Sequence, residues 1–127
     1  LLSMARNHSE TMATRDRVSH TFDGVDSEDR YRDAELFSAC KFASNSGKYI
    51  VDAQNNDIEL VRAVPAGQTS GATVQNSDED AVARAIVDQW TNESFYAEKL
   101  QYENPERVAA GVVVTEDGKA FATLNLC

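Results

Sequence analysis

The C-terminal segment constrains the fold of this chain more than any other part of the sequence. It runs "VAAGVVVTEDGKAFATLNLC" and holds two apolar stretches, Val108–Thr115 and Ala120–Leu126, on either side of Asp117-Gly118. Asp-Gly between two apolar stretches is a strong hairpin signal, because glycine readily adopts the positive φ that a tight turn needs. The segment therefore predicts two antiparallel strands joined by a short turn.

The N-terminal segment predicts a helix over residues 1–16. Its apolar-stripe positions recur every three or four residues, at Leu1, Ala5, His8 and Met12. This spacing places them on one helix face. His8 is therefore expected to be packed and hydrogen-bonded in the core. The helix should end near Asp16 to Val18, which leaves His20 just beyond it.

The middle of the chain alternates further helix and strand signals. Asp26 or Ser27 is suited to cap a second helix, Ile58–Val64 has the moderate alternation of a strand, and Pro65–Asn76 has the composition of a loop. Ser77 is expected to cap a third helix, with acidic residues in its first turn. Its apolar face is formed by Val82, Ala85, Ile86 and Trp90. The order predicts a single α+β domain, residues 1–127, with helices packed on a small antiparallel sheet.

The charge of the chain disfavours two classes of partner. Its 127 residues carry 21 acidic and 12 basic side chains, a formal net charge of -9. This charge disfavours nonspecific binding to nucleic acid or to an anionic membrane. Of the basic residues only four are lysines, which suits a salt-adapted protein as well as an ordinary acidic one. No apolar run approaches the roughly 20 residues that a membrane helix needs.

The two cysteines, Cys40 and Cys127, allow two interpretations. In an extracellular protein an even count favours a disulfide, whereas in a cytosolic protein the pair would be free thiols. The terminal position of Cys127 favours the bridge, because a crosslink holds an end that would otherwise fray. Sequons at Asn7 and Asn92 are glycosylation candidates that fit a secreted protein. The opening residues resemble the middle of an element, so we expect that the true N-terminus has been removed, is disordered or lies upstream of this chain.

Three segments, taken in order, resemble the CAP superfamily of cysteine-rich secretory, antigen 5 and pathogenesis-related proteins. "HSETMATRDRVSH" resembles its helix-to-histidine segment, and "AVARAIVDQWTNE" resembles its later helix, which ends in a tryptophan followed by a glutamate. "VAAGVVVTEDGKAFATLNLC" resembles its closing hairpin. The resemblance implies an α-β-α sandwich of the CAP type and a secreted or cell-surface protein. It also implies that Cys40 is the partner of Cys127, and that the first family helix is missing before Leu1.

The resemblance also implies a cleft, which in many family members holds two histidines and two glutamates. His20 matches the first histidine and Glu93 the glutamate after the tryptophan. Lys48, in "GKYI", matches the position of the other glutamate, and Tyr96 is nearest to the second histidine. Two ligands are too few for tight zinc binding, so the expectation is no cofactor, with weak divalent metal at His20 and Glu93 left open. The alternative for His20 is a hydrogen bond to a helix end.

These observations predict a secreted CAP-like domain of a salt-adapted, haloarchaeal-type microbe that works without catalysis, by extracellular binding or assembly. The expected partners are an extracellular protein or further copies of the chain. One alternative is a cell-surface or filament subunit, because a domain that lacks a helix exposes apolar surface that a neighbour can cover. Another is a metal-dependent or serine-type hydrolase that uses the cleft.

Overall fold

The computed structural model describes residues 1–70 and 73–127, which form four helices and seven strands. The helices are α1 (Leu2–Arg15), α2 (Ser27–Asp33), α3 (Glu79–Thr91) and α4 (Ser94–Lys99). The strands are β1 (Phe42–Ala43), β2 (Ile50–Val51), β3 (Glu59–Pro65), β4 (Gln68–Ser70), β5 (Thr73–Gln75), β6 (Val108–Val114) and β7 (Lys119–Leu126). The predicted α+β class is confirmed. No helix of the described residues is long and apolar enough to cross a membrane.

The predicted C-terminal hairpin forms two of the three strands of the central sheet. The strand order is β3-β7-β6, and every neighbouring pair is antiparallel. Gly118 has a φ of 86° in the turn between β6 and β7, which is the conformation that the Asp-Gly signal predicted. In the register, Thr123 of β7 lies between Val61 of β3 and Gly111 of β6.

Helices cover the two faces of this sheet unequally. Odd-numbered residues of β7 point to α1, since the hydroxyls of Ser9 of α1 and Thr123 are hydrogen-bonded over 2.9 Å. Even-numbered residues of β6 point to the side of α3, where Val112 lines a groove together with Ile86. α1 packs on β6 and β7, whereas α3 packs on β3. The two helices therefore lie on opposite faces and are displaced towards opposite edges.

The contact between α1 and β6 depends on a glycine. A Cβ at Gly111 would lie well inside van der Waals contact with the backbone of Ala5 and Arg6. The absent side chain lets the helix backbone approach the strand, and Ser9 also donates to the Gly111 carbonyl over 2.8 Å. The predicted helix over residues 1–16 is confirmed, and the buried positions on its inner face are Met4, Ala5, His8, Ser9 and Met12.

α3 is capped by Asp78 rather than by the predicted Ser77. The Asp78 carboxylate accepts a hydrogen bond of 2.7 Å from the amide of Ala81, which satisfies a donor of the first turn. At the other end Trp90 donates its indole N–H to the carbonyl of Val61 over 3.1 Å. This bond and the burial of Ile86 fix α3 against β3.

A second core lies between α2 and the C-terminus. Asp26 caps α2 in a reciprocal arrangement with Asp29, as one of the two predicted caps. Tyr31 of α2 is fully buried and donates to the carbonyl of Leu126 over 2.8 Å. The predicted disulfide between Cys40 and Cys127 is confirmed, and both residues are buried in this core. Such a bond is typical of proteins from oxidising, extracellular-type compartments.

One further local prediction was wrong, and one short helix was not predicted. The segment Pro65–Asn76 was predicted to be a loop, but it contains β4 and β5, an antiparallel pair of strands that are too short to show alternation. The helix α4 follows α3 after a break at Asn92 and Glu93, and its six residues carry no side-chain cap that would mark its start. Both elements are short, so tertiary contacts rather than sequence periodicity determine them.

Replacing Gly111 with alanine should destabilise the domain, because the added methyl group meets backbone that cannot rotate away. We expect the free energy of unfolding to fall by about 3 kcal/mol, the upper end of the usual effect of overpacking. Urea denaturation followed by circular dichroism measures it. Ala110→Gly, on the opposite face of the same strand, serves as a control, with a loss of about 1 kcal/mol or less. Equal losses in the two variants would contradict this packing.

Removing the disulfide should destabilise the chain strongly, because the bond closes a long loop with a sequence separation of 87 residues. The chain-entropy model gives a loss of about 4–5 kcal/mol for Cys40→Ser/Cys127→Ser. Denaturant unfolding of the double variant and of wild type, under non-reducing conditions, measures the difference. A difference below about 1 kcal/mol would show that the denatured chain is not constrained by this bond.

Candidate functional site

A buried carboxylate, that of Glu59, is the centre of a polar cluster at the β3 edge of the sheet. Glu59 is the first residue of β3, and its side chain is 0% exposed. It lies opposite Asn125 in the register, on the face of the sheet that α1 covers. Burying an ionised carboxylate without partners costs several kcal/mol, so the surrounding elements must supply donors.

Three donors on three different elements satisfy this carboxylate. Arg30 of α2 donates to Oε1 of Glu59 over 2.6 Å, and Nδ1 of His20 donates to the same oxygen over 2.9 Å. Asn125 of β7 donates its amide to Oε2 over 3.1 Å. Arg30 also donates to the backbone carbonyl of His20 over 2.9 Å. The carboxylate of Glu59 on β3 is thereby bonded to α2, to β7 and to the loop that follows α1.

His20 uses both of its ring nitrogens inside this cluster. An ionised carboxylate only accepts hydrogen bonds, so Nδ1 carries the proton that is donated to Glu59. In the neutral imidazole Nε2 then accepts from the hydroxyl of Tyr96, at 3.0 Å. The side chain of His20 is 18% exposed. The histidine is therefore held in place by two partners and presents no free lone pair.

His8 lies behind this cluster, as predicted for a core position. It is buried, and its Nε2 donates to the carbonyl of Ser19 over 2.8 Å. The same nitrogen is 3.8 Å from Oε1 of Glu59. Burial lowers the pKa of His8, and the attraction of Glu59 offsets only part of that effect. The contact fixes the segment that carries His20.

A second buried cation, Lys99 of α4, lies next to the start of β3. Lys99 is 2% exposed and donates its ammonium group to the backbone carbonyls of Asn56 and, over 3.2 Å, of Glu59. The ammonium nitrogen lies 4.1 Å from the ring centroid of Phe95, within the range of a cation–π contact. Burial lowers the pKa of Lys99 to about 8. The residue anchors α4, and with it Tyr96, to the start of β3.

The partners of Glu59 keep it ionised. Burial alone raises the pKa of this carboxyl group, but the hydrogen bond from His20 and the charge and hydrogen bond of Arg30 outweigh burial. Together they lower the pKa to about 2. The cluster therefore holds a negative charge, balanced by Arg30, throughout the neutral and mildly acidic range.

The neighbours Ser19 and His20 are each hydrogen-bonded to other groups. Both ring nitrogens of His20 are engaged, by Glu59 and by Tyr96. The neighbouring Ser19 donates its hydroxyl to the carbonyl of Thr21 over 2.9 Å. Ser19 and His20 therefore do not form a nucleophile–base pair.

The structure brings together two of the four predicted cleft residues. His20 and Tyr96 are hydrogen-bonded to each other, and Glu93 lies nearby as the residue that precedes α4. The carboxylate of Glu93 is paired with Arg62 of β3. Burial and the charge of Glu93 together raise the pKa of Tyr96, which keeps its hydroxyl protonated as a donor.

The fourth predicted cleft residue is Lys48. Lys48 lies in the exposed turn between β1 and β2, where its amide is bonded to the hydroxyl of Ser46. The cation beside Glu93 is Arg62, and the cation beside His20 is Arg30. The place of Lys48 in the cleft stays a prediction.

No motif in the sequence indicated the central residues of the cluster, Glu59, Arg30 and Lys99. One signal was available. Glu59 stands at an inward-facing position of the predicted strand "IELVRAV", where a charge requires a buried partner. Nothing local indicates that the partner is Arg30, which lies 29 residues away.

The remaining predicted sites concern the surface. The side chains of Asn7 and Asn92 are exposed, and glycosylation at these sequons stays a prediction. In the part of the chain that the structure describes, no group of three or more histidine, cysteine, aspartate or glutamate side chains is arranged to hold a metal ion. Weak metal binding at His20 and Glu93 also stays a prediction.

A second feature is an apolar strip along β6. Even-numbered β6 residues face the side of α3, and three of them, Val108, Val112 and Val114, are 61%, 45% and 61% exposed. Their counterparts on β7, Ala120 and Ala122, are buried. α3 packs on β3, so this face of β6 is left exposed by the part of the chain that the structure describes. We call Val108, Ala110, Val112 and Val114 the β6 face.

A groove runs between the β6 face and α3. Near Val112 and Val114 it has a volume of about 550 Å³, and its other apolar walls are formed by Ala66, Val82, Ala83 and Ile86. Asp78 and Glu79 line the same end. A depression of about 330 Å³ at the opposite end of β6 is lined by Leu100, Tyr102 and Val108. The β6 face therefore connects two concave surfaces.

The comparisons identify no relative of this chain: no family model, no curated protein and no solved structure matches it. The geometry of the polar cluster and of the β6 face is therefore the basis for any functional conclusion.

The pH dependence of stability should reveal the Glu59 cluster. The pKa of Glu59 is lowered from 4.5 to about 2 on folding, so the carboxylate stabilises the fold above pH 4.5. That contribution, about 3 kcal/mol, is lost as the pH falls from 4.5 to 2. Urea unfolding of wild type across this range, followed by tryptophan fluorescence, measures the loss.

The control for this measurement is Glu59→Gln, which cannot titrate. The variant should be less stable at pH 6, because Arg30 then remains buried without a counter-charge. Its free energy of unfolding should depend less on pH between 4.5 and 2 than that of wild type. Parallel pH profiles for the two proteins would show that other carboxylates cause the acid sensitivity.

Proposed function

We propose that this chain is a CAP-like extracellular domain that acts without catalysis, by binding a partner or assembling through the β6 face. The exposed apolar surface of β6 is the observation that carries this proposal. Secretion by a salt-adapted microbe belongs to the same proposal and is supported by the disulfide and by the net charge of -9.

The polar cluster supports the non-catalytic part of the proposal. Its carboxylate, its histidine and its cations are all engaged with one another or with backbone carbonyls. The His20 side chain is only 18% exposed and is bonded at both ring nitrogens, which leaves little of it for a substrate to contact. The cluster is better suited to joining elements than to turning over a substrate.

The β6 face supports the binding part of the proposal. Single exposed apolar residues are common on proteins, but a contiguous apolar strip beside a groove marks an interaction site. Val108, Val112 and Val114 lie on one face of one strand, and Val87 of α3 is also 49% exposed. The same strip favours the alternative of a cell-surface or filament subunit, in which a neighbouring chain covers it.

The apolar face can be tested with Nile red, a neutral dye whose fluorescence rises in apolar surroundings. Wild type should bind the dye, and Val112→Asp should lose most of the binding because the charge lies in the middle of the strip. The fold should tolerate this change, since Val112 is already 45% exposed. Circular dichroism of the variant checks that it remains folded.

Two further variants serve as matched controls. Val25→Asp places the same charge at a valine that is 42% exposed outside the groove, and it should bind the dye as wild type does. Tyr96→Phe removes only the hydroxyl that His20 accepts from, and it should also bind normally. Unchanged binding by Val112→Asp would contradict the proposed surface. Hydrolysis of p-nitrophenyl acetate that disappears in Tyr96→Phe would contradict the non-catalytic assignment.

A further inference from the structure

The space above β6 has the dimensions of one helix. Neighbouring strands are about 4.8 Å apart, and packed helices lie about 8–10 Å apart, so one helix covers about two strands. α3 packs on β3 and buries the inner residues of β7, including Ala120 and Ala122. A three-stranded sheet therefore leaves room for one more helix, beside α3 and over β6.

We propose that the β6 face binds an amphipathic α-helix of a partner protein, which has an apolar stripe and carries basic residues at the end that lies over Asp78 and Glu79. This inference rests on the proposed function and names its partner class. The floor of the site is Val108, Ala110, Val112 and Val114. Its side wall is formed by Glu79, Ala83 and Val87, which are spaced four residues apart and therefore lie along one side of α3.

The length of the site sets the length of the ligand. β6 has seven residues, which extend over about 23 Å. A helix of that length has about 15 residues, or about four turns. Such a helix places an apolar residue over each valine of the floor, while its polar side stays in solvent.

The charges around the groove favour a basic partner over a second copy of the chain. Asp78, Glu79 and Glu116 are exposed at the end of β6 where Val114 lies. A second copy would bring its own net charge of -9 to this surface. Lysine or arginine side chains at one end of a helix would instead complement the acidic end of the groove.

A helix fits the observations better than an added strand. In the described residues β6 pairs only with β7, so its outer edge is open to backbone pairing. A strand added there would lie beside β6 and would leave the side chains of Val108, Val112 and Val114 uncovered. A helix covers those side chains and fills the groove against α3.

The test uses a fluorescein-labelled peptide of about 15 residues, made of leucine and lysine so that leucine forms one helix face. Fluorescence anisotropy measures its binding to the whole chain. We expect roughly tenfold weaker binding by Val112→Asp and no change with Val25→Asp. Glu79→Lys should weaken binding several-fold. Asp88→Lys, the same charge change on the solvent side of α3, should weaken it less.

Three control ligands separate the alternatives. A scrambled peptide of the same composition tests simple charge attraction, a leucine–glutamate helix tests the charge complementarity, and an alternating valine–lysine peptide tests strand addition. Equal or tighter binding of any of them overturns the proposal. Sedimentation velocity tests for a dimer of the wild type. Such a dimer also overturns the proposal if Val112→Asp abolishes it and the helical peptide does not dissociate it.

Nile red distinguishes the failure of this inference from the failure of the proposed function. If Val112→Asp loses the dye but the helical peptide does not bind wild type, the apolar surface remains and the helical partner is wrong. If neither the dye nor the peptide responds to Val112→Asp, both proposals are wrong.

Discussion

The buried carboxylate of Glu59 is the interaction on which the arrangement of the elements depends. Its donors come from His20, Arg30 and Asn125, which lie 39, 29 and 66 residues away in the sequence. Removing any one of them leaves a charge or a polar group unsatisfied in the interior, which costs more than the bond contributes. The cluster therefore specifies one relative placement of α2, the loop after α1, and β7, whatever its net contribution to stability.

Close backbone packing, rather than charge pairing, fixes the part of the domain where α1 covers β6 and β7. The backbone of α1 rests on Gly111 and is joined to β6 and β7 through Ser9. Such a close approach buries Gly111 and half-buries Ala109 and Val113, the β6 residues on the α1 side. It also explains why the strand is stable although its opposite face is uncovered, because the strand is held by β7 on one edge and by α1 on one face.

Local signals in the sequence predicted most of the fold and little of the cluster. The stripe of α1, the acidic start of α3 and the Asp-Gly turn each act over a few residues, and the elements that they predicted are present. The partners of Glu59 are distant in sequence, so no local pattern connects them. The family resemblance placed His20 and Tyr96 in one site, where they are hydrogen-bonded, but it gave no indication that Arg62 pairs with Glu93.

The two halves of the structure differ in how completely their groups are satisfied, and on our proposal that difference determines the function. At the β3 edge, ionisable groups of the kinds used in catalysis are paired with one another, and among the described residues only single atoms such as Nε of Arg30 lack a partner. Most of their free energy of interaction is therefore already used within the fold. At the β6 edge, valine side chains, which proteins usually bury in a core, remain exposed to water. Covering them releases free energy only when another molecule arrives. A binding domain needs exposed apolar surface of this kind, because groups that are already paired within the fold gain no further free energy when a partner binds.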